Sequence, residues 1–436
     1  MPLYPGDVSE YVDSRADPVR LTVEITAPET PGGSYHSRGI LDGGRTVEGT
    51  FTPPPGDWEQ TDPMTQAVTK TRRTRGATES AVETGRRLFD AVFSGPLSRC
   101  WAEAVERASG PHGLQVMLRS ADLGVQGLAW ELLYDPVLAG GHIMLADGWS
   151  ILREVPGQPA PPPPHAATKN LAVLVVTSDY PLDLDTEQDI RLVADLLSDA
   201  SIDVRRGVAS STVGRVLANA HADVIHFAGT GMRLPVGRQQ LAFGTPDKVR
   251  GVSGGSILEV LRTGPQRPTF LVLAACETDT LAAELAAEVP VVVGMRGAIS
   301  NPGCVAFLQG FYGALRRGSP ADQAVAAGRS QQFSFSRGVA TEWATPVAFT
   351  APGARLVRPP DSGPVPRITT GGDDMAGADE NRRQRLVLDM KRRNADALRD
   401  QWGPVEPALW PDFVRRQLAD LESGIAEAQR DAGGTR

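Results

Sequence analysis

Cysteine is scarce. The 436-residue chain carries three, Cys100, Cys276 and Cys304, far apart from one another. Three cysteines cannot build a disulfide framework, and the lack of a CxxC pair excludes the usual structural zinc site, so the thiols are expected reduced, in a reducing compartment. Lysine is scarce too: four lysines (Lys70, Lys169, Lys248 and Lys391) stand beside 40 arginines. With abundant Ala, Gly and Pro this reflects a GC-rich genome rather than a mechanism. Basic residues do not predominate, since 44 Lys and Arg against 52 Asp and Glu leave a net charge of −8. A general nucleic-acid binder, which needs a basic face, is therefore not expected. No apolar run approaches the roughly 18 residues of a membrane span. The first residues, MPLYPGDVSEYVDSRAD, have neither the basic nor the apolar region of a signal peptide. The expectation is a cytoplasmic protein without membrane, nucleic acid, cofactor or metal.

What is present is ordinary for a globular protein: 41 % hydrophobic and 22 % charged residues. Two breaks divide the chain. Residues 156–168, PGQPAPPPPHAAT, contain four consecutive prolines, which favour an extended polyproline II segment and exclude a helix or central strand. Residues 357–380 are rich in Pro, Gly and Asp without apolar periodicity, and read as a flexible linker. The expected organisation is an N-terminal module over 1–155, a Pro-rich linker over 156–168, a middle domain over 169–356, the linker 357–380 and a C-terminal segment over 381–436. No internal repeat interrupts it.

In the N-terminal block, VRLTVEIT alternates like a half-buried strand. GILDGGRTVEGTFTP reads as a hairpin turning at Asp42, Gly43 and Gly44. Residues 76–109 read as helical, LQVMLRS as a strand, and the block as α+β. The middle block alternates apolar runs (NLAVLVVTSD, ADVIHFAGTG, PTFLVLAACETD, VPVVVGMRGA) with amphipathic segments such as DTEQDIRLVADLLSDA and GCVAFLQGFYGALRRG. That alternation implies βαβ units and a mostly parallel sheet. Residues 381–436 read as a polar helical hairpin that packs on the core or docks on a partner; its cluster of arginines (382, 383, 385, 392 and 393) reads as a solvated face, or as a docking surface for an acidic partner.

Ligands and catalytic groups of open parallel sheets gather at the C-terminal ends of strands. Two such ends carry reactive residue types, His226 and Cys276. A Cys–His pair across neighbouring strands would activate the thiol as a nucleophile. Gly229 and Gly231 would let backbone approach a substrate and offer N–H groups to an oxyanion. The competing reading of a Cys at a strand end is a small inert hydrophobe, and of His226 a hydrogen-bonded strand histidine. Asp183 and Asp185 follow the first strand of the middle block, as a solvated acidic loop or as the lining of a cleft that prefers a basic residue. Cys304 and Cys100 read as packed helix thiols and Trp130 as a core aromatic.

The middle block resembles a CHAT domain, the caspase-like and separase-like cysteine peptidase module of clan CD. The five segments NLAVLVVTSD, ADVIHFAGTG, PTFLVLAACETD, VPVVVGMRGAIS and VAFLQGFYGALRRGSPADQAVAAGRSQ carry the resemblance in order over nearly all of 169–340. LFDAVFSG, LQVMLRS and LAWELLYDP resemble the module that often precedes it. The resemblance implies an α/β fold, a caspase-like mostly parallel sheet sandwiched by helices, with an N-terminal α+β module; the C-terminal helical hairpin is read from the sequence pattern and lies outside the resemblance. It implies that Cys276 is the nucleophile and that the N–H groups of Cys276 and Gly231 form the oxyanion hole. The family's catalytic His stands at the second His of "HFAGHG", and that position is Thr230 here. A Thr hydroxyl cannot act as a general base near neutral pH. His226 matches the family's first, non-catalytic His and would have to serve as a relocated base. Two functions remain open: a degenerate peptidase acting as adaptor or regulator in bacterial signalling or defence, and an active cysteine endopeptidase whose base is relocated or supplied by a partner. Either implies a protein partner or a peptide substrate.

Overall fold

The computed structural model describes residues 18–28, 33–54, 74–108, 113–138, 141–146, 148–180, 186–234, 238–245, 248–335 and 342–359. Asp183, Asp185, the linker beyond residue 359 and the expected C-terminal hairpin lie outside the described residues. The chain opens with β1 (Val19–Thr26), β2 (Tyr35–Leu41) and β3 (Arg45–Phe51), then α1 (Thr74–Val92), α2 (Pro96–Ala108), β4 (Leu114–Arg119), the single turn α3 (Leu123–Gln126) and β5 (Ser150–Glu154). The middle block follows with β6 (Ala172–Ser178), α4 (Thr186–Leu196), β7 (Ser201–Val208), α5 (Ser210–Ala218), β8 (Val224–Ala228), β9 (Thr230–Arg233), β10 (Gln239–Thr245), β11 (Lys248–Ser253) and α6 (Gly254–Thr263). It closes with β12 (Phe270–Ala274), α7 (Asp279–Leu285), β13 (Val291–Met295), α8 (Asn301–Arg316), α9 (Ala321–Phe335) and β14 (Pro346–Thr350).

Local rules account for several boundaries. Asp42 and Gly43 both take positive φ (49° and 69°), the conformation that a tight hairpin turn between β2 and β3 needs. The stretch 76–109 reads from its sequence as one helical region; the structure breaks it at Gly95, whose φ of 55° ends α1, and Pro96 then opens α2 where a missing N–H costs nothing.

Eleven strands form one sheet in the order β3-β2-β1-β4-β5-β14-β13-β12-β8-β6-β7. The five strands from β13 to β7 run parallel to one another. Period-two burial sorts their side chains. Val173, Val175, Val224, Phe270, Val272 and Ala274 face a layer built from α4, α8 and α9. Their neighbours Leu174, Val176, Ile225, Phe227, Leu271 and Leu273 face α5, α6 and α7. The result is a helix–sheet–helix sandwich, as expected for the middle block.

Four strands escape the sequence patterns. β7 is an edge strand, exposed along most of its length, so its SIDVRRGV sequence lacks an apolar run. β9, β10 and β11 make a separate antiparallel sheet, where the sequence suggested a Gly-rich loop.

The sheet does not stop at the Pro-rich segment. β5 pairs in parallel with β14, with Phe349 opposite Arg153, so β1–β5 extend the same sheet. The core around α1 and α2 is completed by Trp343 and Ala344 from the far end of the chain. The segment 156–168 is tied down near both ends. Gln158 Nε2 donates to the Pro290 carbonyl at 2.9 Å. The His165 N–H donates to the Leu356 carbonyl at 3.0 Å, and its ring lies 3.2 Å from the Asp223 carboxylate.

Candidate active site around Cys276

β12 ends at Ala274, and the chain turns through Ala275, Cys276, Glu277 and Thr278 into α7. Glu277 has φ 51°; besides Asp42 it is the one non-glycine with positive φ among the described residues. Such backbone costs about 1–3 kcal/mol and persists only where surroundings hold it. Here they do. The Glu277 N–H donates to the Gly297 carbonyl at 3.0 Å and the Thr278 N–H to that of Met295 at 2.8 Å. Thr278 Oγ1 donates to the Ala275 carbonyl at 2.8 Å and accepts from the Met295 N–H at 3.0 Å. The elbow is thereby pinned to the end of β13.

The Cys276 thiol, half-buried, sits on the backbone of Ile299: the Ile299 N–H donates to Sγ at 3.5 Å, and the S–H points to the Ile299 carbonyl at 3.8 Å. It lines a cleft of about 360 Å³, open mouth included, with Asp189, Gly229, Ile299, Asn301 and Cys304 among its other walls. Burial is the largest influence on the thiol and raises its pKa; the Glu277 and Glu342 carboxylates add to this, and the Ile299 hydrogen bond opposes it. Asp223 does not lie beside the thiol. It precedes β8 and accepts from the Ala172 N–H and Gln266 Nε2 at the other end of the sheet. Asp279 is occupied by Gln239, whose Nε2 donates to it at 2.6 Å.

Glu342 was invisible as a site residue in the sequence, 66 positions after Cys276. It accepts from Ser300 Oγ at 2.8 Å, and burial raises its pKa. Ser300 also caps α8, accepting from the Gly303 N–H at 3.1 Å. The SNPG phrase signals that cap; no local pattern signals that Glu342 or Cys304 joins the site.

Gly231 lies in β9 against the elbow. A Cβ there would collide with the Cys276 carbonyl and the Thr278 methyl, so only glycine permits this approach. A Cβ on Gly229 would meet the Phe227 ring at 2.9 Å. The close approach foreseen for a substrate is thus already made to Cys276's own backbone. Thr230 opens β9 opposite Ala242, and its buried Oγ1 has no hydrogen-bond partner.

His226 lies at the centre of β8 rather than at its end, opposite Val272 and Val175, and is fully buried. Its Nδ1 shares a hydrogen bond with the Tyr312 hydroxyl at 3.0 Å, and Nε2 has no partner. The Tyr312 partner is a side chain of α8. Burial pushes its pKa down to about 4, so the ring is neutral. No hydrogen bond links Cys276 to it. The other described histidines are engaged or remote: His36 pairs with Glu48, His142 with the Leu132 carbonyl, His165 with Asp223, and His221 is exposed. The structure therefore brings Cys276, Gly229 and Gly231 together and does not bring His226 to the thiol. Among the described residues no group of three or more His, Cys, Asp or Glu is placed to hold a metal, and no helix is long and apolar enough to cross a membrane.

No curated protein matches the chain. Two solved structures of the Saccharomyces cerevisiae separase–securin complex are similar to it. One has a TM-score of 0.33 and 11 % identity over 60 % of this chain; the other has 0.32 and 12 % over 67 %. The match spans 18 % and 19 % of those chains, less than a fifth of their length. A CHAT domain model matches residues 82–349, more than half of the sequence, and the chain belongs to the CHAT domain family.

Proposed function

We propose that this chain is a degenerate CHAT module: a peptidase fold without peptidase chemistry, acting as an adaptor or regulator in bacterial signalling or defence. The observation that carries the reading is the fate of the general base. Thr230 stands where the resemblance puts the catalytic histidine, and no imidazole of the described residues bonds to Cys276. A cysteine nucleophile needs a base within hydrogen-bond reach or a lowered pKa. Cys276 has its S–H directed at a backbone carbonyl and a pKa raised by burial. Protein partners suit such a module, and the arginine-bearing segment 381–436 is a docking surface in this proposal.

A second reading, an active cysteine endopeptidase, is favoured by one feature. The strained elbow still presents Cys276 at a strand end beside an open cleft, with Gly231 packed against its backbone. In that reading the N–H groups of Cys276 and Gly231 hold the oxyanion, and His226 or a partner's residue takes the proton.

The pH dependence of Cys276 alkylation separates the two, read by peptide mass spectrometry with Cys100 and Cys304 as internal references. The degenerate module predicts a thiol pKa at or above the free value of about 8.5, unchanged in His226→Ala. A pKa well below that value, restored upward by His226→Ala, overturns it in favour of a working dyad.

A further inference from the structure

Two of the three cysteines line the same cleft. Cys276 and Cys304 both line it, although 28 positions separate them in the sequence. Their closeness has a backbone cause. Cys276 Sγ rests on Ile299, the residue before the Ser300 cap, and the Cys304 N–H donates to the Ser300 carbonyl at 2.8 Å. Cys304 therefore sits in the first turn of α8, directly beyond the peptide that holds the Cys276 thiol. The two thiols also feel each other electrostatically, charge on Cys276 adding to the rise of the Cys304 pKa that burial causes. They differ in access: Cys276 is half-buried and Cys304 is buried. Cys100 packs in the separate core around α1 and α2.

We propose that Cys276 and Cys304 form a redox pair, in which a hydroperoxide oxidises Cys276 and Cys304 closes the product to an intramolecular disulfide. In the first step the Cys276 thiolate attacks the terminal oxygen of the hydroperoxide. The O–O bond breaks, the sulfur is oxidised to a sulfenic acid, and the leaving oxygen takes a proton as water or alcohol. In the second step the Cys304 sulfur attacks the Cys276 sulfur. The S–O bond breaks, and hydroxide leaves as water with the Cys304 proton. With hydrogen peroxide the sum is two thiols and one peroxide giving one disulfide and two waters. Cys276 reacts first because it is the accessible thiol and because the Ile299 N–H is placed to stabilise its thiolate. Cys304 is the resolving thiol. The disulfide removes Cys276 from the cleft's chemistry, and the pair needs no peptidase activity to operate. Burial keeps both thiols protonated near neutral pH, so closure is slow there and speeds up about tenfold per pH unit below the thiol pKa.

The test treats the full-length protein with hydrogen peroxide at pH 7 and pH 9, caps remaining thiols under denaturing conditions and maps peptides without reduction. The expected result is a peptide pair joining residues 276 and 304, formed faster at pH 9, reversed by dithiothreitol, with Cys100 still free. In Cys304→Ser, Cys276 should instead advance to sulfinic and sulfonic acids that dithiothreitol does not recover. Cys304→Ala provides the same comparison should the serine disturb packing. Absence of the 276–304 link in the unmodified protein overturns the proposal, since a disulfide requires Cα atoms within about 7 Å. So does irreversible oxidation of Cys276 at equal rates with and without Cys304.

Discussion

At the scale of single residues, burial decides what the titratable groups near the sheet can do. His226 is an imidazole enclosed among Tyr312 and the strands on either side, and its pKa falls to about 4 because the charged form has no water around it. The sign of the consequence follows from linkage. The unfolded chain binds a proton near pH 6.5, the folded one near 4, so stability is full above about pH 6.5 and is lost as pH falls through this window. The loss is about 3 kcal/mol at pH 4. Urea unfolding between pH 7 and 4.5 should show His226→Gln, which cannot titrate, declining less steeply than the unmodified protein. Parallel declines would contradict the neutral, buried histidine. The same burial raises the Cys276 and Glu342 pKa values, and among the described residues no imidazole bonds to the thiol.

At the scale of elements, the site depends on how closely β9 approaches the turn between β12 and α7. The sequence HFAGTG shows two glycines, and their usual meaning is room for a ligand. In the folded chain Gly231 makes room for Cys276's own carbonyl. Gly231→Ala should therefore cost about 1–3 kcal/mol, the range for an added methyl with nowhere to go, and should change the alkylation rate of Cys276 through displacement of the elbow. Gly44→Ala, whose added Cβ meets nothing closer than 3.8 Å, should stay within about 0.5 kcal/mol. Equal urea midpoints for the two variants would show that β9 yields without strain. Strand type was legible where burial alternates or runs unbroken, as in β6, β8, β12 and β13. It was hidden in β7, because an edge strand facing water has no reason to be apolar.

At the scale of the whole molecule, the N-terminal block and the middle block are one structure. Besides the β5–β14 pairing, a buried charge cluster spans them. Glu131 pairs with Arg153 of β5 and lies 3.5 Å from Arg329 of α9, and all three side chains are excluded from solvent. Burial holds the Arg329 pKa down to about 10, partly offset by Glu131. Arg296, from the loop that pins the Cys276 elbow, donates to the Gly127 carbonyl of the N-terminal block. Removing one member of such a cluster strands buried charge, and Glu131→Gln should cost about 3–5 kcal/mol. Tryptophan fluorescence and circular dichroism should report one coincident unfolding transition for residues on both sides of the Pro-rich segment, in this variant as in the parent. Two separated transitions would mean that the shared sheet does not couple the blocks.

The apolar parallel strands and the helices between them, the helix–sheet–helix sandwich and Cys276 at a strand end were readable from the sequence. Each is a local property: backbone periodicity fixes which residues alternate into the core, and a residue's identity is printed in the chain. The location of the tie between blocks, the company of Cys276 and the isolation of His226 were not readable. Ile299 holds the thiol, Cys304 lines the same cleft and Glu342 bonds Ser300 only because β13, α8 and the turn before β14 pack beside β12. Such contacts join segments tens of residues apart, and they are set by the packing of side chains between elements, which no local pattern encodes.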